Sequence, residues 1–120
     1  MNLRFTPQAH ADLLEIRRYI STELHNETAA ERITRSILSS CSNLRSFPQM
    51  GIALSEKINV QTNIRYIVSE KHLIFYTVDE DYISVMRILD SRTNYLQNLR
   101  KQKLVKRNLA LVIMLLQQCS

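Results

Sequence analysis

Ile64-Arg65-Tyr66-Ile67-Val68, His72-Leu73-Ile74-Phe75-Tyr76-Thr77-Val78 and Tyr82-Ile83-Ser84-Val85-Met86-Arg87-Ile88-Leu89 are the three runs whose reading decides the fold. β-Branched and aromatic residues dominate them, so each reads as a strand. Ser69-Glu70-Lys71 and Asp79-Glu80-Asp81 join them. Polar connections this short allow turns but no crossover, so neighbouring runs are forced antiparallel. The strands are apolar on both parities, with Leu73, Phe75 and Thr77 on one face and Ile74, Tyr76 and Val78 on the other. A sheet with one wet face alternates more cleanly, so both faces are expected to be covered.

Upstream, Leu3-Arg4-Phe5 has the alternation of a short strand, and Thr6-Pro7 supplies an N-cap hydroxyl and a first-turn proline. Ala9, Leu13, Ile16, Ile20 and Leu24 then recur at helical spacing and predict a helix of about five turns. His25-Asn26 interrupts it. Thr28, with Glu31 three residues on, has the capping-box pattern that opens a second helix. Its buried stripe is Ala30, Ile33, Ile37, Cys41 and Leu44, and Phe47-Pro48 ends it. Ile52-Ala53-Leu54 and Ile58-Asn59-Val60 are weaker strand candidates. These elements predict an α+β domain in which an N-terminal strand and a helical hairpin pack on a small antiparallel β-sheet. One hairpin covers one face, which leaves the other to a partner protein or to the C-terminal tail.

The totals fit one domain over residues 1–100 and an extension over 101–120, since 120 residues with 45% hydrophobic content support a single modest core. Gly51 is the single glycine, and dinucleotide fingerprints and phosphate loops need several, so no nucleotide cofactor is expected. His10, His25 and His72 share no metal-ligand spacing, and Cys41 and Cys119 read as free thiols outside any disulfide framework. No apolar run approaches the roughly 18 residues of a membrane helix, and the polar N-terminus lacks a secretory core, so the expected location is cytoplasmic. The net charge of +5 resides largely in the extension, where Lys101, Lys103, Lys106 and Arg107 face no acid. The first hundred residues hold 16 − 4 = 12 bases against 11 acids, which gives bulk charge no role in binding nucleic acid. The extension ends in Leu109-Ala110-Leu111-Val112-Ile113-Met114-Leu115-Leu116, an apolar run that reads as a helix or strand packed on the body or on a second copy. A membrane-surface helix and an aggregation-prone tail are the other readings of it.

Landmarks in order along the first hundred residues resemble the RelE/ParE superfamily of toxins from bacterial toxin–antitoxin modules. Leu3 to Pro7 with Ala9, Leu13, Ile16, Tyr19 and Ile20 is similar to that family's first strand and opening helix. Leu44, Phe47-Pro48 and Gly51 resemble its helix exit. Asn63-Ile64-Arg65-Tyr66, Ile74-Phe75-Tyr76 and Arg87-Ile88-Leu89 resemble its strands, and Asp90-Ser91-Arg92-Thr93-Asn94-Tyr95-Leu96 its terminal signature. Many relatives carry a histidine or tyrosine in place of Asp90, glycine or glutamate in place of Ser91, and aspartate in place of Asn94. These departures bear on catalysis rather than on fold. The resemblance implies a cognate antitoxin as partner, a possible homodimer within the toxin–antitoxin complex, and one of two targets. A ParE-like toxin stalls DNA gyrase and performs no chemistry; a RelE-like toxin cleaves messenger RNA on the ribosome. An inactive interaction module is the third reading.

Cleavage of RNA needs cations around the scissile phosphate and groups that move protons, for which Arg65, Arg92 and Tyr95 are the catalytic candidates. Glu56 and Lys57 lie where some relatives place active residues. For a target-binding surface the candidates are Arg87, Arg92, Asn94 and Tyr95. Each has a structural reading beside the functional one. Arg87 shares parity with Ile83, Val85 and Leu89, which suits an inward arginine paired with an acid or with carbonyls. Tyr95, followed by Leu96 and Leu99, also suits packing. The long helices from about Pro7 to Ser46 and the exit from the last strand lean toward the ParE-like reading.

Overall fold

A computed structural model describes residues 1–58 and 61–90. Its elements are β1 (Asn2–Phe5), α1 (Pro7–Arg18), a π-helical turn (Tyr19–Glu23), α2 (Glu27–Asn43), β2 (Ile52–Ala53), α3 (Ser55–Ile58), β3 (Arg65–Ser69), β4 (His72–Val78) and β5 (Tyr82–Asp90). The architecture is α+β, as expected. The order across the sheet is β1-β5-β4-β3-β2. Strands β2 to β5 are antiparallel neighbours, whereas β1 adds to β5 in parallel, Leu3 beside Ile83 and Phe5 beside Val85, so the whole sheet is mixed.

The helical hairpin covers one face. Ala9 of α1 and Ile37, Cys41 and Leu44 at the α2 end bury against Ile67, Ile74, Tyr76, Ile83, Val85 and Ile88, with Leu13, Ile16 and Ile33 at the margin. Burial pushes the Cys41 thiol up to about 12, so it packs as a small apolar side chain. On the opposite parity, Tyr66, Leu73, Phe75 and Met86 are also buried, Phe75 and Met86 at 0% exposure, and the Tyr66 and Phe75 rings touch at 5.9 Å. These side chains of the second face are thus buried as well.

Three local readings are corrected. The N-cap of α2 is Asn26, whose Oδ1 accepts from the Ala29 amide at 3.0 Å, so Thr28 is already helical and the Thr28/Glu31 box does not form. The α1 stripe fails at its last member. The π turn widens the helix, residues four apart no longer superimpose, and Leu24 is exposed although Ile20 is buried. Ile58 closes the short α3 rather than opening a strand, and Asn59 and Val60 lie outside the described residues. Left-handed backbone occurs at His25, which breaks the two helices apart, and at Glu70 in the β3–β4 turn. No helix among the described residues is long and apolar enough to cross a membrane.

Candidate functional site

The last strand carries a bulge. Phe75 pairs with Arg87 but Tyr76 pairs with Val85, which leaves Met86 as the extra residue. The bulge explains why parity misleads here: Ile83 and Val85 join the core under the helices, and after Met86 it is Ile88 that does so, not Arg87. Thr6 holds this irregularity in place. Its hydroxyl donates to the Met86 carbonyl at 2.9 Å while accepting from the Ala9 amide at 3.1 Å, so one buried side chain caps α1 and fixes the bulge.

Arg87, freed from the core stripe, makes a two-pronged pair with Asp12 of α1: Nε to Oδ2 at 2.7 Å and Nη2 to Oδ1 at 3.1 Å. Asp12 also accepts from the Ile88 amide at 2.9 Å. Both partners are largely withdrawn from water, where charge-assisted forked contacts are strongest. Pairing with an acid was one of the readings for Arg87. The sequence carries a signal for the identity of that acid: Asp12 lies three residues after Ala9 and four before Ile16, inside the apolar stripe of α1.

Arg65 opens β3, two strands away. Its Nη2 donates to the carbonyls of Gly51 at 2.8 Å and Gln49 at 3.2 Å, and its Nε donates to Gly51 at 3.2 Å. Tyr76 grips the same loop, its hydroxyl donating to the Pro48 carbonyl at 2.9 Å and accepting from the Gly51 amide at 3.0 Å. Only glycine fits at the centre of this clamp, since a Cβ on residue 51 would lie 2.5 Å from Tyr76 Oη and 2.8 Å from the Tyr66 carbonyl oxygen. The single glycine thus has a packing reason. The clamped segment presents three apolar side chains to water within six residues, Phe47 at 67%, Met50 at 54% and Ile52 at 41% exposure.

Arg65 and Asp90, the first residue of the terminal signature, are not adjacent. Arg65 belongs to the row Arg65–Tyr76–Val85, and Asp90 to the row Ser69–His72–Asp90. Four rows separate them, roughly 13 Å along the strands. Glu56 and Lys57 lie in α3. Arg92, Asn94 and Tyr95, and with them the extension, lie outside the described residues. At the other end of β5, Arg4 stacks over Tyr82 with 4.4 Å between guanidinium carbon and ring centroid, and donates to the Ser84 hydroxyl at 2.7 Å. Asp79 accepts from the Asp81 and Tyr82 amides, which holds its carboxyl below the usual range.

Residues 3–95 match the profile of the ParE toxin of the type II toxin–antitoxin system, parDE. Among solved structures, the chain is similar to one from the chromosomal ParDE TA system of P. aeruginosa, with 21% identity and a TM-score of 0.63. That likeness spans 75% of this chain and 95% of the other and concerns the fold. A comparison with curated proteins finds no match.

Proposed function

Since the chain belongs to the ParE toxin family of type II toxin–antitoxin systems, we propose that it arrests bacterial growth by binding DNA gyrase and stalling it on cleaved DNA. It performs no chemistry of its own, and a cognate antitoxin neutralises it in the cytoplasm. One observation carries the choice of a protein-binding toxin over a nuclease. The Arg65 guanidinium spends three hydrogen bonds on the carbonyls of Gln49 and Gly51, and the loop so held displays Phe47, Met50 and Ile52. A cation committed to backbone carbonyls is a scaffold element, whereas cleavage of RNA needs it facing a phosphate. A rigid, exposed cluster of large apolar side chains suits a protein surface.

In this reading the target is met by the clamped loop together with Arg92, Asn94 and Tyr95, while Arg87 acts as a positioning residue that fixes the course of β5 toward them. Induced expression in bacteria tests it. The expected result is arrest with a DNA-damage response and linearised DNA trapped on gyrase. Arrest with cut messages would replace it by the ribosome-dependent nuclease, and normal growth by the inert module. Arg92→Ala is expected to relieve arrest without altering thermal stability; undiminished toxicity would remove Arg92 from the contact surface.

A further inference from the structure

The described body has a groove that its own packing leaves open. It encloses about 680 Å³ between the end of α1, the π turn, the first turns of α2 and the β3–β4 hairpin. Ile16, Tyr19, Ile20, Leu24, Ala29 and Ile33 form an apolar floor. The π turn widens the helix here and leaves Tyr19 and Leu24 exposed, so large apolar side chains face water along the groove. Such volume and lining are those of a site that takes an apolar ligand or chain segment. The rim carries Glu15, paired with Arg18, and Glu70, paired with Arg32, together with Lys71 and Asp90.

We propose that this groove receives the apolar segment Leu109–Leu116 of the same chain. Three observations select that occupant. Asp90, the last described residue, is itself part of the rim, so the thirty residues that follow begin at the groove. Their charge complements the body: residues 91–120 hold six bases, Arg92, Arg100, Lys101, Lys103, Lys106 and Arg107, and no acid, which leaves residues 1–90 with 16 − 6 = 10 bases against 11 acids, a net of −1 facing a net of +6. The slight excess of acid on the body favours the approach of such a stem. The eight apolar residues then supply what the floor lacks, since their burial is worth more than any alternative open to them in water. The match to the toxin family stops at residue 95, so this occupant is a property of the present chain rather than of the shared domain. The inference is independent of which target the toxin binds.

Site-directed disulfide trapping in the full-length chain tests the proposal. Leu24→Cys places a thiol on the floor, and the native Cys119 lies three residues beyond Leu116. Cys41 does not compete, because it is buried at the centre of the core. Under oxidised glutathione, which is reduced as the two thiols join, a monomeric intrachain disulfide with Cys119 is expected. It should form at least about tenfold faster than in Phe47→Cys, whose thiol is exposed at the opposite end of α2. Ile113→Asp, in the same Leu24→Cys background, should reduce trapping to the Phe47→Cys rate with the thermal midpoint of the body unchanged. Equal rates at the two positions would overturn the proposal. A disulfide formed only between chains would also overturn it, in favour of a second copy's tail in the groove, as would trapping indifferent to Ile113→Asp.

Discussion

Arg65 and Arg87 lie two strands apart, one row out of step in the same sheet, and are anchored in different ways. Arg87 forks onto a carboxylate that is mostly shielded from water, and that carboxylate also holds the Ile88 amide. Arg65 touches carbonyl dipoles on a half-exposed loop and shares the loop with Tyr76. The difference lies in what removal leaves behind. Breaking the first strands charge in a poorly solvated place, while breaking the second frees neutral groups that water reaches. Between α1 and β5 the contact is therefore an electrostatic lock, and the loop rests on a shape constraint with several modest contacts.

The largest effect is expected from Asp12→Ala, which deprives the Arg87 fork and the Ile88 amide of their acceptor and should cost about 3 kcal/mol in urea unfolding. In combination with Arg87→Ala the loss should be well below additive, with a coupling of about 1–2 kcal/mol; additivity would mean that the two do not act as a pair. Gly51→Ala comes next, at about 2 kcal/mol, because the clash is with a backbone oxygen and a hydroxyl that is itself bonded on two sides. Should Gly51→Ala be neutral, the loop is held less tightly than its hydrogen bonds indicate. Arg65→Ala should cost about 1 kcal/mol, and Arg65→Lys should restore only part of it, since an ammonium cannot reproduce the fork across two carbonyls. A loss as large as that of Asp12→Ala would erase the distinction between the two arginines.

The smallest effect concerns Asp79, a third way of holding backbone, by an exposed carboxylate that accepts from amides. Its folded value is lowered by the bonds from Tyr82 and Asp81, so its contribution is present above the unfolded value and fades as pH falls through the lowered one. Asp79→Asn should lower thermal stability slightly at neutral pH, with the difference from the unaltered chain shrinking as pH falls below about 4, so that the acid limb flattens.

Much of this architecture is legible in the residues. The three long strands, the two helices and the stripe from Ala30 to Leu44 follow from period and turn chemistry because each is a local pattern repeated several times. What escapes is set at a distance or by one irregular residue. The parallel docking of β1 on β5 joins Leu3 to Ile83, a pairing that no local period encodes. The bulge at Met86 inverts the parity from which Arg87 would be assigned, and the π turn does the same to Leu24. The cap of α2 moved to Asn26 because His25 adopts a left-handed conformation and starts the helix earlier than the Thr28 pattern suggests. At the candidate site, Arg65 was identified as a residue type, but its carbonyl partners depend on where the loop from Phe47 to Gly51 returns to the sheet.

The union of the first strand with the last has a bearing on synthesis. Thr6 reaches the Met86 carbonyl and its amide reaches Val85, so the N-terminal segment has no place to go until nearly all of the sheet has left the ribosome. A growing chain of this design keeps its first strand unpaired until β5 has emerged, with that strand open to whatever binds nascent polypeptides.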